Sequence, residues 1–206
     1  MTKKKIAIAL AAAALVGTCA IGGSLAWLTA NTNEVKNTFT VGNVTLDISE
    51  TGGTYNSSTD KYDFTIVPGV AFDKAPKITV NANSVDCYLF SSITIVNDGD
   101  DVVLPENWTL EGKNGSWEYV AKTTSGESTT YVYRQETVVS KSTNDQEFSL
   151  FVKAKLNADY DQADYVDDPF AGEIIVKGYA VQAEGFTDWT GAYDAIQVEA
   201  GLPTRS

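Results

Sequence analysis

In the longest patterned runs of this chain apolar residues return at every second position. From Gln146 to Leu156, Phe148, Leu150, Val152, Ala154 and Leu156 alternate with Ser149, Lys153 and Lys155, and only Phe151 interrupts the polar side. A helix scatters such a pattern around its circumference, whereas a strand collects it on one face. The spacing therefore predicts a single strand over 146–156 with the five alternating apolar residues inward. Cys87 to Val96 places Cys87, Leu89, Ser91, Ile93 and Ile95 on one face and Tyr88, Phe90 and Val96 among those opposite. Covering both faces in this way is the mark of a central strand.

Shorter runs of the same kind fill the rest. Val44, Leu46 and Ile48 alternate with Thr45, Asp47 and Ser49; Tyr62, Phe64 and Ile66 follow a turn-rich stretch from Glu50 to Asp60; Glu173 to Ala183 is the last long strand. Pro68-Gly69 and Asn97-Asp98-Gly99 read as turns, and Ser125-Gly126 divides a hairpin whose arms hold Trp117–Ala121 and Tyr131–Tyr133. Eight or so strands separated by Gly, Asn and Asp turns predict an all-β fold, an antiparallel β-sandwich. One helical spacing stands out, with Trp189, Ala192, Tyr193 and Ile196 three and four apart behind Asp188. It predicts a short C-terminal helix capped by Asp188.

The N-terminus is of a different character. Lys3, Lys4 and Lys5 precede an uncharged stretch from Ile6 to Leu28, and Ser24 and Ala26 occupy the two small-residue positions that a signal peptidase reads. Residues 1–26 are read as a cleaved signal peptide, with Ser24, Ala26 and Trp27 at the recognition site. The residues leave two alternatives open. The uncharged stretch would extend ~35 Å as a helix, enough to remain as a membrane anchor, and Cys19 could carry a lipid. Residues 27–41 are read as a flexible, polar segment that ends in strand-forming residues, and residues 42–206 as the sandwich domain. Within the segment Val35, Phe39 and Val41 share one side, broken at Asn37.

The chain carries a net charge of −12, and loss of a signal that holds three lysines and no acid leaves −15. Such a product is repelled by nucleic acid, by anionic membranes and by copies of itself. Salt, acid or divalent cations weaken that repulsion. After cleavage Cys87 is the only cysteine left, so no disulfide can form within one chain. Its neighbours Tyr88, Leu89 and Phe90 suggest a buried thiol, and pairing between chains is the alternative.

There is no histidine. That excludes Ser-His-Asp and Cys-His nucleophile systems and every HExxH zinc protease. Glu50-Thr51-Gly52 has only a faint likeness to an aspartic-protease triplet, with Glu for Asp and no second copy. Two acidic stretches, Asp98 with Asp100 and Asp101, and Asp159, Asp161 and Asp164 with Asp167 and Asp168, have the oxygen-rich chemistry of Ca²⁺. Asp159, Asp161 and Asp164 are the candidate Ca²⁺ ligands, although neither stretch has the EF-hand spacing and solvated loops are the simpler reading. Trp108, Trp117, Tyr119, Tyr131 and Tyr133 could line a carbohydrate platform, but aromatic residues in strands more often serve packing and cross-strand pairing.

Three stretches carry a resemblance. Gly22-Gly23-Ser24-Leu25-Ala26-Trp27 followed by Asn37-Thr38-Phe39-Thr40-Val41-Gly42-Asn43-Val44, then Pro68-Gly69 ahead of Lys74 and the Asn81–Ser84 corner, then Tyr179-Ala180-Val181-Gln182-Ala183-Glu184-Gly185-Phe186, together resemble the camelysin/TasA group of secreted proteins of Gram-positive bacteria. The resemblance implies export by a SipW-type signal peptidase, a jelly-roll-like sandwich, and self-association into fibres of a biofilm matrix or cell surface. In that reading Trp27 to Val41 is a donor strand passed between copies, with Val35, Phe39 and Val41 as its anchors, and the protein has no enzymatic activity. The expected partners are the signal peptidase and other copies of the chain, with no nucleic acid and no stable membrane anchor after cleavage. Two alternatives of other classes remain: a monomeric adhesion or carbohydrate-binding module, and a secreted protease of the camelysin kind, which would lack its usual zinc ligands.

Overall fold

A computed structural model describes residues 29–31, 43–96, 108–112, 116–157 and 173–205. Its organising strand is β7 (Cys87–Val96). It lies between β13 (Glu173–Gln182) and β10 (Ser128–Gln135), antiparallel to both, and pairs with β13 from Glu173 opposite Val96 to Gln182 opposite Cys87. Cys87, Leu89, Ile93 and Ile95 enter the core between the sheets, and Phe90 points to the other face. The double-sided pattern of the sequence is thus used on both sides.

The first layer is a five-stranded sheet in the order β1-β13-β7-β10-β9, with β1 at Thr29–Asn31 and β9 at Trp117–Ser125. Strands β9 and β10 form the expected hairpin, joined through Gly126 and Glu127, with Ser125 opposite Ser128. The second layer is divided. One part is β11-β6-β2 (Gln146–Ser149, Ala75–Val80 and Leu46–Thr51), and the other is β5-β12-β8 (Phe72–Asp73, Lys153–Leu156 and Trp108–Glu111). A small hairpin, β3 (Thr54–Asn56) with β4 (Lys61–Asp63), stands apart. Among the described residues all pairings are antiparallel, and the fold is the all-β sandwich expected, with a short C-terminal helix.

That helix, α1 (Trp189–Gln197), starts at Asp188, whose carboxylate accepts hydrogen bonds from Thr190 N at 2.9 Å and Gly191 N at 3.2 Å. These bonds satisfy two amides that the first helical turn leaves without partners. Ala192, Tyr193 and Ile196 are fully buried against Phe90, Val132 and Val181 on the outer face of the five-stranded sheet. Burial of the Ile196 side chain contributes roughly 2 kcal/mol.

The structure departs from the strand-by-strand expectation in several places. Gln146 to Leu156 is two strands in different parts of the second layer, joined by Leu150–Val152. Leu150 and Phe151, adjacent in sequence, are both buried, and Val152 is 42% exposed rather than inward. The chain turns the corner where Phe151 breaks the alternation. Lys74 makes a parallel crossing between β5 and β6, and its amide donates to Val152 O at 3.3 Å, so the two crossings lie side by side. The run Tyr62–Ile66 is strand only over Lys61–Asp63, and the loop expected over Glu50–Asp60 holds the end of β2 and all of β3. Gly52, at φ +96°, makes the tight turn between them, where a side chain would run into the Asp73 carbonyl. Thr29–Asn31, in the segment read as a flexible polar terminus, is a strand paired with Tyr179–Val181. Pairing with an open sheet edge satisfies backbone groups whatever the side chains are, so composition was a poor guide there.

Candidate functional site

On one flank of the sandwich both layers end in strand edges. Strand β2 is outermost in its sheet, and among the described residues its outer edge has no partner strand. Opposite it, β1 covers only Tyr179–Val181 of the ten-residue β13, leaving Glu173–Gly178 with an edge that no described strand pairs. Between the two edges lies a groove of about 790 Å³. Ile48, Ile66, Phe72, Trp108, Ile174 and Val176 form its apolar wall, and the hairpin β3–β4 forms its rim. An exposed ion pair between Lys61 and Glu173 ties the hairpin to the first residue of β13.

The apolar wall is interrupted once. Val44, Leu46 and Ile48 point inward, and the next residue in that phase is Glu50. Its Oε2 accepts a hydrogen bond from Lys74 Nζ at 2.5 Å, with side chains 12% and 8% exposed. Lys74 Nζ also lies 4.9 Å from the centre of the Phe64 ring, a cation–π distance. The Phe64 and Phe72 rings lie 5.4 Å apart, tilted by 48°, and Phe72 meets Trp108 edge-on at 6.3 Å. A charge in such surroundings is tolerated only with a partner. Glu50 Oε1 is buried, with no hydrogen-bond partner among the described residues. The groove therefore offers strand edges for backbone pairing, an apolar wall, and one polar point with an unused acceptor. Glu50, considered earlier only for its protease-like triplet, is the partner of a lysine.

The five aromatic residues considered for a platform do not all lie on one exposed face. Trp108 and Trp117 are 7% and 3% exposed, and Trp117 Nε1 donates to Ser149 O at 3.1 Å. Tyr131 and Tyr133 line a separate apolar cavity of about 260 Å³ with Trp108 and Phe151. Tyr119 is exposed on the edge strand β9 and meets Tyr133 edge-on at 6.1 Å. Packing is the use the fold makes of Trp108, Trp117 and Tyr133. The exposed aromatic pair is Tyr55 with Tyr62, 5.3 Å apart on the rim hairpin. Cys87 is a fully buried free thiol, bridged through its backbone to Val139. Burial, with the Asp86 charge second, pushes that thiol up to about 12.

Several expected residues lie outside the described ones: Ser24, Ala26 and Trp27 of the signal-peptidase site, the strand anchors Val35, Phe39 and Val41, and the candidate Ca²⁺ ligands Asp159, Asp161 and Asp164. Among the described residues no three acidic or cysteine side chains gather as metal ligands, and no helix is long and apolar enough to cross a membrane. Comparison with protein-family models, with curated proteins and with solved structures returns no match.

Proposed function

We propose that this chain is a secreted, non-enzymatic structural protein, a subunit of extracellular fibres of a biofilm matrix or cell surface, assembled by passing an N-terminal strand from each copy to the next. The observation that carries the reading is the groove, where an apolar wall is flanked by two strand edges with backbone groups to spare. An extended segment entering there would gain main-chain hydrogen bonds and apolar burial together. Donor and acceptor are different surfaces of the molecule, so the contact is heterologous and propagates into a ring or an open filament. The resemblance of the N-terminal and C-terminal stretches to the camelysin/TasA group supports the same reading.

The test compares residues 27–206 with a variant whose residues 32–41 are replaced by a Gly-Ser stretch of equal length. That replacement retains β1, which a simple truncation would remove along with the donor segment. Size-exclusion chromatography and negative-stain microscopy should find fibres from the first and monomers from the second. Monomers from both, at neutral and at acid pH, would defeat the proposal. Because the exported chain carries −15, assembly should be faster at acid pH and in high salt. A second reading, a monomeric adhesion or carbohydrate-binding module, draws on the exposed Tyr55–Tyr62 ring pair. It expects a monomer under all conditions and retention on immobilised glycans that Tyr62→Ala abolishes.

A further inference from the structure

We infer that Glu50 and Lys74 read the side-chain amide of Asn37 from a second copy, an inference that rests on the strand-donation reading and fixes the register in which the donated strand lies along β2. The polar point of the groove has a particular chemistry. Lys74 gives one hydrogen to Glu50 Oε2, while Glu50 Oε1 is buried with no donor among the described residues. An ammonium carries three hydrogens, so an acceptor without a donor stands beside a donor with hydrogens to spare. A primary amide satisfies both at once, its NH₂ donating to the carboxylate and its oxygen accepting from the ammonium.

The N-terminal segment holds one such group in the right place. Val35, Asn37, Phe39 and Val41 fall on one side of an extended chain, and Asn37 is the polar member. Residues directly opposite in an antiparallel pair share a face. With Asn37 opposite Glu50, Phe39 falls opposite Ile48 and Val41 opposite Leu46, apolar on apolar at both positions. A slip of two residues sets Val35 or Phe39 on the ion pair and leaves the buried carboxylate oxygen unsatisfied, while a slip of one turns Lys36 and Thr38 inward.

This register is open to a neighbour and closed to the segment's own chain. Asn43 and Thr45 are held by the 81–85 corner, through Val85 N to Asn43 O at 3.1 Å, Asn81 N to Thr45 O at 3.0 Å and Thr45 N to Ser84 Oγ at 3.2 Å. Val44 keeps the inward phase of Leu46 and Ile48, so the chain is already extended there. A hairpin back along β2 must therefore turn before Asn43. The tightest two-residue turn, at Val41 and Gly42, puts Asn37 against Leu46 and Asn33 against Glu50, and spends the anchor Val41 in the turn. A strand supplied by another copy is free of that limit.

The test follows fibre growth of the exported chain by light scattering, with thermal melting of the monomers to show that each variant folds. Asn37→Asp sets a carboxylate against Glu50 and should slow growth at least ~10-fold, as like charges brought together do. Adding Glu50→Gln to it restores a donor–acceptor match and should return the rate to within ~3-fold of the parent chain. Asn33→Asp should have no effect. If the parent chain grows and Asn37→Asp grows equally fast, the register falls while strand donation stands. If Asn33→Asp is the variant that slows growth, the hairpin register within one chain is correct instead. If the parent chain forms no fibres, the strand-donation reading fails and takes this inference with it.

Discussion

Gly178 faces Ile78 across the sandwich, and Gly178→Ala asks whether the separation of the two layers is fixed there. A methyl group at that position would lie 3.0 Å from Ile78 Cγ2 and 3.2 Å from its Cδ1 and Cγ1. A relaxed carbon pair needs ~3.5–4.0 Å. Ile78 is 1% exposed, and its strand β6 is paired on one side with β11 and on the other with β2, so neither side chain nor backbone has room to withdraw. Two effects of opposite sign compete. Restricting the unfolded chain stabilises by ~0.4–1 kcal/mol, and overpacking a tight core costs ~1–3 kcal/mol. The balance is a loss of about 1–2 kcal/mol, which for a domain of this size lowers Tm by about 2–8 °C. Ile78→Ala alone opens a cavity and costs ~2–5 kcal/mol. In the double variant the new methyl group enters that cavity, so the two losses should sum to at least ~1 kcal/mol less than their separate values. Urea and thermal denaturation of all four proteins measure the cycle. A rise in Tm for Gly178→Ala, or strict additivity, would show that the layers can move apart and that this reasoning is wrong.

Three further outcomes are expected. Cys87 should resist thiol reagents at pH 8 until the protein unfolds. Its folded value near 12 lies above the ordinary 9.0, so its contribution to stability is intact below pH 9 and lost as pH rises toward 12; rapid labelling of native protein would contradict this. Asp188 is held below its ordinary 3.8, first by the Thr190 hydroxyl and then by the Gly191 amide. Its contribution is present above pH 4 and lost as pH falls through that lowered value, so Asp188→Ala should lower Tm at pH 7 and flatten the acid limb of the stability curve; an unchanged acid limb would count against the cap. Lys74→Ala strands the Glu50 carboxylate and should cost about 3 kcal/mol, while Lys74→Met with Glu50→Leu should fall within about 1 kcal/mol of the parent, both read from urea midpoints. Equal losses in the two would mean that packing, not charge, dominates there.

Most of the fold was legible because it is written in a period that local geometry enforces. Strand β7 occupies the residues that its two-sided alternation marks, the hairpin turns at Gly126, and α1 begins at its cap. What was not legible is where a strand leaves one sheet for another. The alternation from Phe148 to Leu156 continues almost unbroken across a corner, since residues on either side face the same core from two different sheets. Phe151, out of phase and fully buried, was the available signal. Strand β1 was invisible for another reason: Thr29, Ala30 and Asn31 have no strand pattern, and their pairing depends on an edge that belongs to residues 179–181.

The candidate site was half legible, and the missing half was present as an error in a pattern. Val44, Leu46 and Ile48 set an inward phase, and Glu50 is a charge in that phase. Nothing local indicates its partner, because Lys74 comes from the other crossing of the second layer, 24 residues away. An inward charge on an outer strand is one of the ways in which sheet edges are kept from pairing indiscriminately. In the proposed register that device takes a selective form at β2. A strand that presents an apolar group at that position leaves the standing penalty of a buried Oε1 without a donor in place. An amide at the same position removes the penalty. Guarding the edge and choosing the strand that is admitted to it are then the same physical property, and the polar break at Asn37, which weakens the case for a strand when that segment is read alone, becomes the feature that would let it be recognised.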